Sequence, residues 1–370
     1  MTDFFKRLLN QPEPSAAPDV PPAEMAAYLR SLDDRQWGRY AFSREPLEGK
    51  FTPQQKDAYT AAANACGAEW ADKLAAEHGT RDPLTLCGEL GLKLETPATP
   101  AGGGQVLFAQ FVQPDEITIF TDCLDKAETL GGLLPARAKL QSIILAHELF
   151  HAVEEANPDI YTRTEKIELW RKPFSNKSCI VCLSEIAAMA FAKQLLGLDF
   201  NPYALDVLLV YPYDAQAACG LYAENLRTIA AREIEFRLTP YIFNLGIPPH
   251  VSGYNYLRDA VIELLLEPAA QVGVTKCVYP SVAAMYGTTV HAVERSVRHA
   301  ITSAWNGGGL RRVKGDPQNT ILRFHSRPTN KKVYHGARTD DAGTIWEPDS
   351  RLVWRCCMQC NRMTGTHHRP

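Results

Sequence analysis

The stretch LQSIILAHELFHAVEE, Leu140 to Glu155, decides how the N-terminal half of the chain is read. Apolar residues recur in it at three- and four-residue intervals, which predicts a helix over Ala136 to Asn157. Inside it stands His147-Glu148-x-x-His151. Residues four apart on a helix face the same way, so both imidazoles can reach one metal ion, and Glu148, one residue round, lies beside a water on that ion. A bound metal lowers the water's pKa, and a neighbouring carboxylate takes the proton as general base and can return it to a leaving amine. Glu148 is therefore the candidate catalytic residue and zinc the candidate cofactor. A solvent-facing histidine pair with a solvated glutamate has the same spacing, and from spacing alone that alternative stays open.

A tetrahedral site that keeps one position for water needs a third protein ligand. Glu185, in CLSEIAAMAFAKQLLGL from Cys182 to Leu198, is the best placed, on a predicted helix spanning Cys179 to Leu196. Glu154 and Glu155 are alternatives on the histidine helix itself, but a tetrahedral site rarely takes all three ligands from one helix. The tyrosines Tyr161, Tyr211 and Tyr213 are candidates by type alone to stabilise an oxyanion.

Working outward, Gln11 to Glu24 (QPEPSAAPDVPPAE) is a Pro-rich linker after a short N-terminal arm. Helices are predicted at Pro22 to Leu32 and Thr52 to His78. Asp82 to Glu95 reads as a helix closed by Gly91 and running into a strand. Gln105 to Gln113 and Glu116 to Thr121 flank a Pro-Asp turn and read as a hairpin. A further helix is predicted at Ala215 to Arg237, and Gly246-Ile-Pro-Pro-His250 breaks the pattern at a domain boundary.

The span from about residue 52 to 198, most clearly ILAHELFHAVEE with SEIAAMAFAKQLL, resembles the ImmA/IrrE-type metallopeptidases, small cytoplasmic gluzincin-like enzymes. The resemblance implies a zincin-like fold, zinc held by His147, His151 and Glu185, Glu148 as general base, and a regulatory protein as substrate. The hairpin before the helix would bind an extended peptide as an added strand.

A second informative region is VTKCVYPSVAAMYGTTVHAVERSVRHAITSAW, Val274 to Trp305. It reads as a helix, a turn containing Gly287, and a second helix N-capped by Thr288 or Thr289, which is a helix-turn-helix pattern. Val290, Val293, Val297, Ala300, Ile301 and Ala304 supply the apolar face, while His291, Glu294, Arg295, Arg298 and Thr302 lie elsewhere on the cylinder. Glu and Arg are types that read cytosine and guanine edges in a major groove, and Arg298 and His299 can hold phosphates. An ordinary amphipathic helix pair with a solvated charged face is the competing reading.

Charge distribution favours DNA. Between His291 and Arg338 ten Lys/Arg stand against Glu294 and Asp316, so this stretch is about +8, whereas the net charge of the whole chain is −3. YLRDAVIELL, VTKCVYPSVAAMYGTT, VERSVRHAITSAW and SRPTN (Ser326 to Asn330) resemble the C-terminal DNA-binding effector domain of the sporulation-initiation response regulator, over roughly residues 246–335. That resemblance implies base contacts by Glu294 and Arg295, with backbone or supporting contacts by Arg298 and His299. His291-Ala292 departs from its more polar pair, so a different preferred DNA sequence is expected. Nothing in residues 1–245 reads as the alternating βα pattern of a phosphorylatable receiver.

The expected organisation is thus an arm and linker (1–24), a mainly α zincin-like domain with a small β-sheet (25–245), an all-α helix-turn-helix domain (246–335) and a tail (336–370). Cys356, Cys357, Cys360, His367 and His368 in the tail offer a Cys/His metal knuckle, which Cys179 and Cys182 would complete only at an unusual spacing. No apolar run approaches the roughly 18 residues of a membrane span, and the scattered cysteines read as reduced thiols, so the expected location is the cytoplasm. The expected function is a bacterial transcriptional regulator that joins a zinc-dependent metallopeptidase-like domain, which cleaves a regulatory protein or acts as a sensor, to a domain for double-stranded DNA, with a homodimer on DNA as one arrangement. The alternative is a DNA-binding transcription factor whose peptidase-like half is catalytically silent.

Overall fold

The computed structural model describes residues 20–98, 108–170, 176–266, 274–308, 326–330 and 333–334, which divide between Asn225 and Leu226 into two compact units. The N-terminal arm, most of the Pro-rich linker and the cysteine-bearing tail lie outside the described residues.

In the first unit, helices α1 (Pro22–Ser31), α2 (Asp34–Ser43), α3 (Pro53–His78) and α4 (Pro83–Glu89) lead into strand β1 (Lys93–Glu95). Strands β2 (Ala109–Val112) and β3 (Glu116–Ile119) follow, then α5 (Thr121–Ala127) and α6 (Arg137–Ala156). After α7 (Tyr161–Thr164) come strands β4 (Lys166–Trp170) and β5 (Asn176–Cys179), and then α8 (Cys182–Leu196), α9 (Ala204–Leu208) and α10 (Ala215–Asn244). Local chemistry sets several boundaries. Thr52 caps α3 in a reciprocal capping box with Gln55, ahead of a proline in the first turn, and Gly79 ends the helix in a left-handed conformation.

Helix α8 is the centre of this unit. It buries residues on every side, among them Leu183, Ile186, Ala187, Ala188, Phe191 and Leu195, as expected of a helix enclosed by neighbours. It packs on one side against α3 and on another against α6, whose far side carries the sheet. The approach of α3 is very close: a Cβ on Gly67 would come within 2.1 Å of the Ala187 carbonyl oxygen.

The sheet has order β1-β3-β2, with β1 parallel and β2 antiparallel to β3. The predicted hairpin is β2–β3, its turn carrying a cis Gln113–Pro114 bond, and the predicted strand after Gly91 is β1. Strand β2 is thereby an edge, and it lies against α6. A second antiparallel pair, β4–β5, forms between α7 and α8, where the sequence suggested no strand. Helix α2 was likewise not foreseen. Its buried Trp37, Tyr40 and Phe42 are aromatic, a composition that does not announce a helix, and the Asp33–Gln36 capping box starts it.

The second unit contains the later part of α10 with α11 (Ser252–Leu266), α12 (Tyr279–Met285) and α13 (Val290–Asn306). Its core gathers Ile234, Leu238 and Ile242 from α10, Leu257 and Val261 from α11, Val282 from α12, Val293, Val297 and Ile301 from α13, and Val333. The core therefore begins before the Gly246 break. Helix α10 also runs on to Asn244, past the predicted end at Arg237, because its apolar spacing continues through Leu238 and Ile242. Gly253 lets α11 cross α13 closely, since a Cβ there would lie 2.1 Å from the Ser296 carbonyl oxygen. The expected fold class, mainly α with a small sheet in the first part and all-helical in the second, is what the chain adopts.

Gly67→Ala is expected to destabilise the protein by about 1–3 kcal/mol through overpacking, seen as a lower urea midpoint at unchanged slope. Gly220→Ala, where no atom lies within 4 Å of the added carbon, should be neutral or slightly stabilising. Equal effects from both would contradict the close α3–α8 contact.

Candidate metal centre and DNA-reading surface

His147 and His151 lie one turn apart on α6, and Glu185 lies in the first turn of α8, the helix packed against it. Their polar atoms converge. His147 Nε2 and His151 Nε2 are 3.1 Å apart, and the two carboxylate oxygens of Glu185 reach one imidazole each, Oε2 at 3.4 Å from His147 Nε2 and Oε1 at 3.7 Å from His151 Nε2. A tetrahedral centre with bonds of about 2.0–2.2 Å has its ligand atoms about 3.3–3.6 Å apart. Two imidazoles and a carboxylate at these separations form a group that can hold a metal ion.

The electrostatics agree with that fit. Burial opposes protonation of His147, but the hydrogen bond and charge of Glu185, and then the charges of Glu148 and Asp206, raise its imidazole to about 9. Burial alone would raise Glu185; the hydrogen bond from His147 and the charges of both histidines instead hold its carboxyl down at about 2. His147 and Glu185 thus hold each other in their charged forms.

Glu148 follows His147 on α6 and is not one of the three converging groups. It is buried, which raises its carboxyl, while the two imidazoles and the Phe111 backbone N–H on β2 pull it back down. The edge strand thus faces the candidate base.

Behind the histidines is a second layer. His151 Nδ1 lies 3.3 Å from Ser184 Oγ and 3.7 Å from Glu154 Oε2, and the Ser184 hydroxyl donates to Glu154 at 2.6 Å. Thr162 donates to the other oxygen of Glu154. Glu154, an alternative third ligand by sequence position, therefore meets the back of the His151 ring, where a carboxylate fixes the tautomer and turns Nε2 forward. Glu155 pairs with Arg163 instead. Glu45, itself buried, accepts from the Cys182 backbone N–H at 3.0 Å and from Leu47 N–H at 3.2 Å, so it caps the helix that carries Glu185.

Among the tyrosines, Tyr161 shares its surroundings with Tyr59 and Glu165, and Lys126 Nζ sits 3.8 Å over the Tyr213 ring. The phenol in the electrostatic field of Glu185 and Asp206 is that of Tyr203, whose ring stacks on Trp37. Ser184 stands beside Glu185 in sequence, and Glu154 follows His151 by one turn, so both were visible as neighbours of ligands. Asp206 and Tyr203 carried no sequence signal, because their proximity depends on how α9 folds back. Cys179 is exposed and Cys182 buried, and the tail residues that would join them lie outside the described residues.

In the second unit, α12, a turn with Gly287 at φ +59° and α13 form the helix-turn-helix. Thr289 is the N-cap and accepts from the Ala292 N–H. The turn is tied down by charge: the Tyr286 hydroxyl donates to Asp259, Arg258 Nε donates to Asp259 at 2.7 Å, and Arg258 reaches the buried Glu235 of α10 at 3.2 Å. On α13, Val293, Val297, Ala300, Ile301 and Ala304 are buried, while Arg295, Arg298 and His299 are exposed. Glu294 is partly covered; its carboxylate pairs with Arg298, and its backbone oxygen accepts from Asn330 Nδ2 at 3.4 Å.

Residues 238–337 match the family described as Sporulation initiation factor Spo0A C terminal. The match supports a sporulation-regulator-like DNA-binding domain there, with DNA as its partner. Among the described residues, no helix is long and apolar enough to cross a membrane.

Metal binding at the first site competes with protons. The metal-free His147 holds its proton up to about pH 9, so apparent metal affinity should rise with pH through neutrality and level off above about 9. Calorimetry in buffers of different ionisation enthalpy should show about one proton released per metal at neutral pH. A pH-independent affinity between pH 6.5 and 9 would contradict the cluster.

Proposed function

We propose that this chain is a bacterial transcriptional regulator in which a zinc-dependent, peptidase-like unit is joined to a helix-turn-helix unit that reads double-stranded DNA in the major groove. The DNA-reading half is supported by the family match over residues 238–337, together with the exposed Arg295 standing opposite the buried stripe of α13. Arg295 donates to a guanine edge, Glu294 accepts from a cytosine N4 group beside it, and Arg298 and His299 hold phosphates.

The observation that carries the other half is the convergence of His147, His151 and Glu185, whose nearest nitrogen and oxygen atoms are 3.1, 3.4 and 3.7 Å apart. His147, His151 and Glu185 would hold a zinc ion, which would supply Lewis acidity that makes water more acidic and polarises a peptide carbonyl. The chain's own groups then divide the work. Glu148 is held by burial at a higher proton affinity than an exposed glutamate, which suits it to take a proton from water and pass it to the leaving amine. Glu154 and Ser184 keep His151 turned towards the ion. The β2 edge, beside Glu148, accepts an extended segment of a regulatory protein as an added strand.

Both halves are testable on the full chain. Arg295→Ala should lose about 1–3 kcal/mol of discrimination between a sporulation-type operator and random DNA, whereas Arg298→Ala should weaken all sequences alike and reduce the salt slope by about 1. Glu148→Gln should keep its zinc and lose cleavage of a peptide library by about 10²- to 10⁴-fold. Identical gel-shift titrations for wild type and Arg295→Ala would refute base reading by α13. Unchanged cleavage by Glu148→Gln would refute its role as base.

A further inference from the structure

We propose that His291 is a further base-reading residue of this chain, donating a hydrogen bond to a purine N7 next to the base pair contacted by Arg295. The proposal rests on the DNA-binding reading above and adds to it a residue that sets specificity.

The geometry of α13 carries it. His291, Arg295, Arg298 and Thr302 recur at intervals of four, three and four, so at 3.6 residues per turn they form one stripe along the helix. The buried Val293, Val297, Ala300, Ile301 and Ala304 form the opposite stripe. Arg295 therefore stands at the outward pole, and His291 is the residue one turn before it on the same line. His291 is exposed.

Its place along the helix matters as much as its face. Thr289 is the N-cap, so His291 is the second residue of the helix. In helix-turn-helix proteins, the N-terminal residues of the recognition helix are those that meet base edges. The Thr289 hydroxyl accepts from the Ala292 N–H and fixes the first turn, which leaves the imidazole facing outward from an ordered backbone.

Glu294, the other base-reading candidate, stands off this line: its carboxylate pairs with Arg298 and its backbone oxygen accepts from Asn330. Ala292 has no polar atom beyond its backbone. His291 is thus the polar side chain of the first turn that shares the Arg295 line, and it offers a ring N–H donor. In the major groove N7 of guanine and of adenine is an acceptor, open to a single donor from a short side chain.

The test uses the full-length protein with randomised duplex DNA, followed by 7-deazapurine substitution in the selected sequence. Wild type should select a motif. His291→Ala should lose the purine preference at one position, keep the remainder and bind the selected duplex about 2- to 12-fold more weakly, as for one net hydrogen bond. The 7-deaza substitution at that position should cost wild type a similar factor and cost His291→Ala nothing. His291→Asn, which retains a donor, should recover part of the preference. An identical motif and affinity for His291→Ala would overturn the proposal, as would a loss spread equally over all sequences, which would make His291 a phosphate contact. If wild type selects no motif, the DNA-reading proposal itself fails; a motif that His291→Ala leaves intact removes only the role of His291.

Discussion

The contact of α8 with its two neighbours is the constraint on which the first unit depends. Glu185 sits in the first turn of that helix, so the distance from its carboxylate to the imidazoles of α6 is set by how α8 is seated. Gly67 allows α3 to press onto the backbone at Ala187, and Glu45 satisfies the Cys182 N–H at the helix start. An apolar helix enclosed on all sides has little freedom to shift, because close-packed interiors do not deform continuously. The Glu185 carboxylate accordingly reaches the two imidazoles at 3.4 and 3.7 Å, one oxygen to each, from a different helix.

The second unit applies the same logic to a different end. Gly253 brings α11 close under α13, and the buried residues of α13 leave one outward stripe. The Asp259–Tyr286 hydrogen bond holds the turn, and Arg258 connects that turn to Glu235 on α10. Buried charges that are mutually paired in this way cost little beyond their desolvation and fix orientation, which a reading helix requires more than raw stability.

Much of this was legible in the sequence where the information is local. The four-residue spacing of His147 and His151, the two runs flanking the Pro-Asp turn and the Gly287 turn before Thr289 each determine structure within a few residues, and the helices and hairpin they predicted are present. Convergence of Glu185 on the histidines could be anticipated from its place on an apolar helix, since few carboxylates occur there. The second layer could not. Asp206 and Tyr203 reach the site only because α9 folds back, and Glu45 becomes a cap only through a contact with a residue distant in sequence. The β4–β5 pair was hidden for another reason: β5, Asn-Lys-Ser-Cys, is polar at three of its four positions, so the apolar alternation of β4 has no matching partner strand in the sequence.

The two halves make different demands on chemistry, yet the metal centre is the feature from which the combined regulator is argued. X-ray absorption at the zinc edge, on full-length protein loaded with one equivalent of zinc, tests it most directly. The account predicts a first shell of nitrogen and oxygen at about 2.0–2.2 Å with the outer scattering of two imidazoles, and loss of that signature in a His147→Ala, His151→Ala double variant. Sulfur at about 2.3 Å, the signature of cysteine ligands, or an unchanged spectrum in the double variant would contradict it.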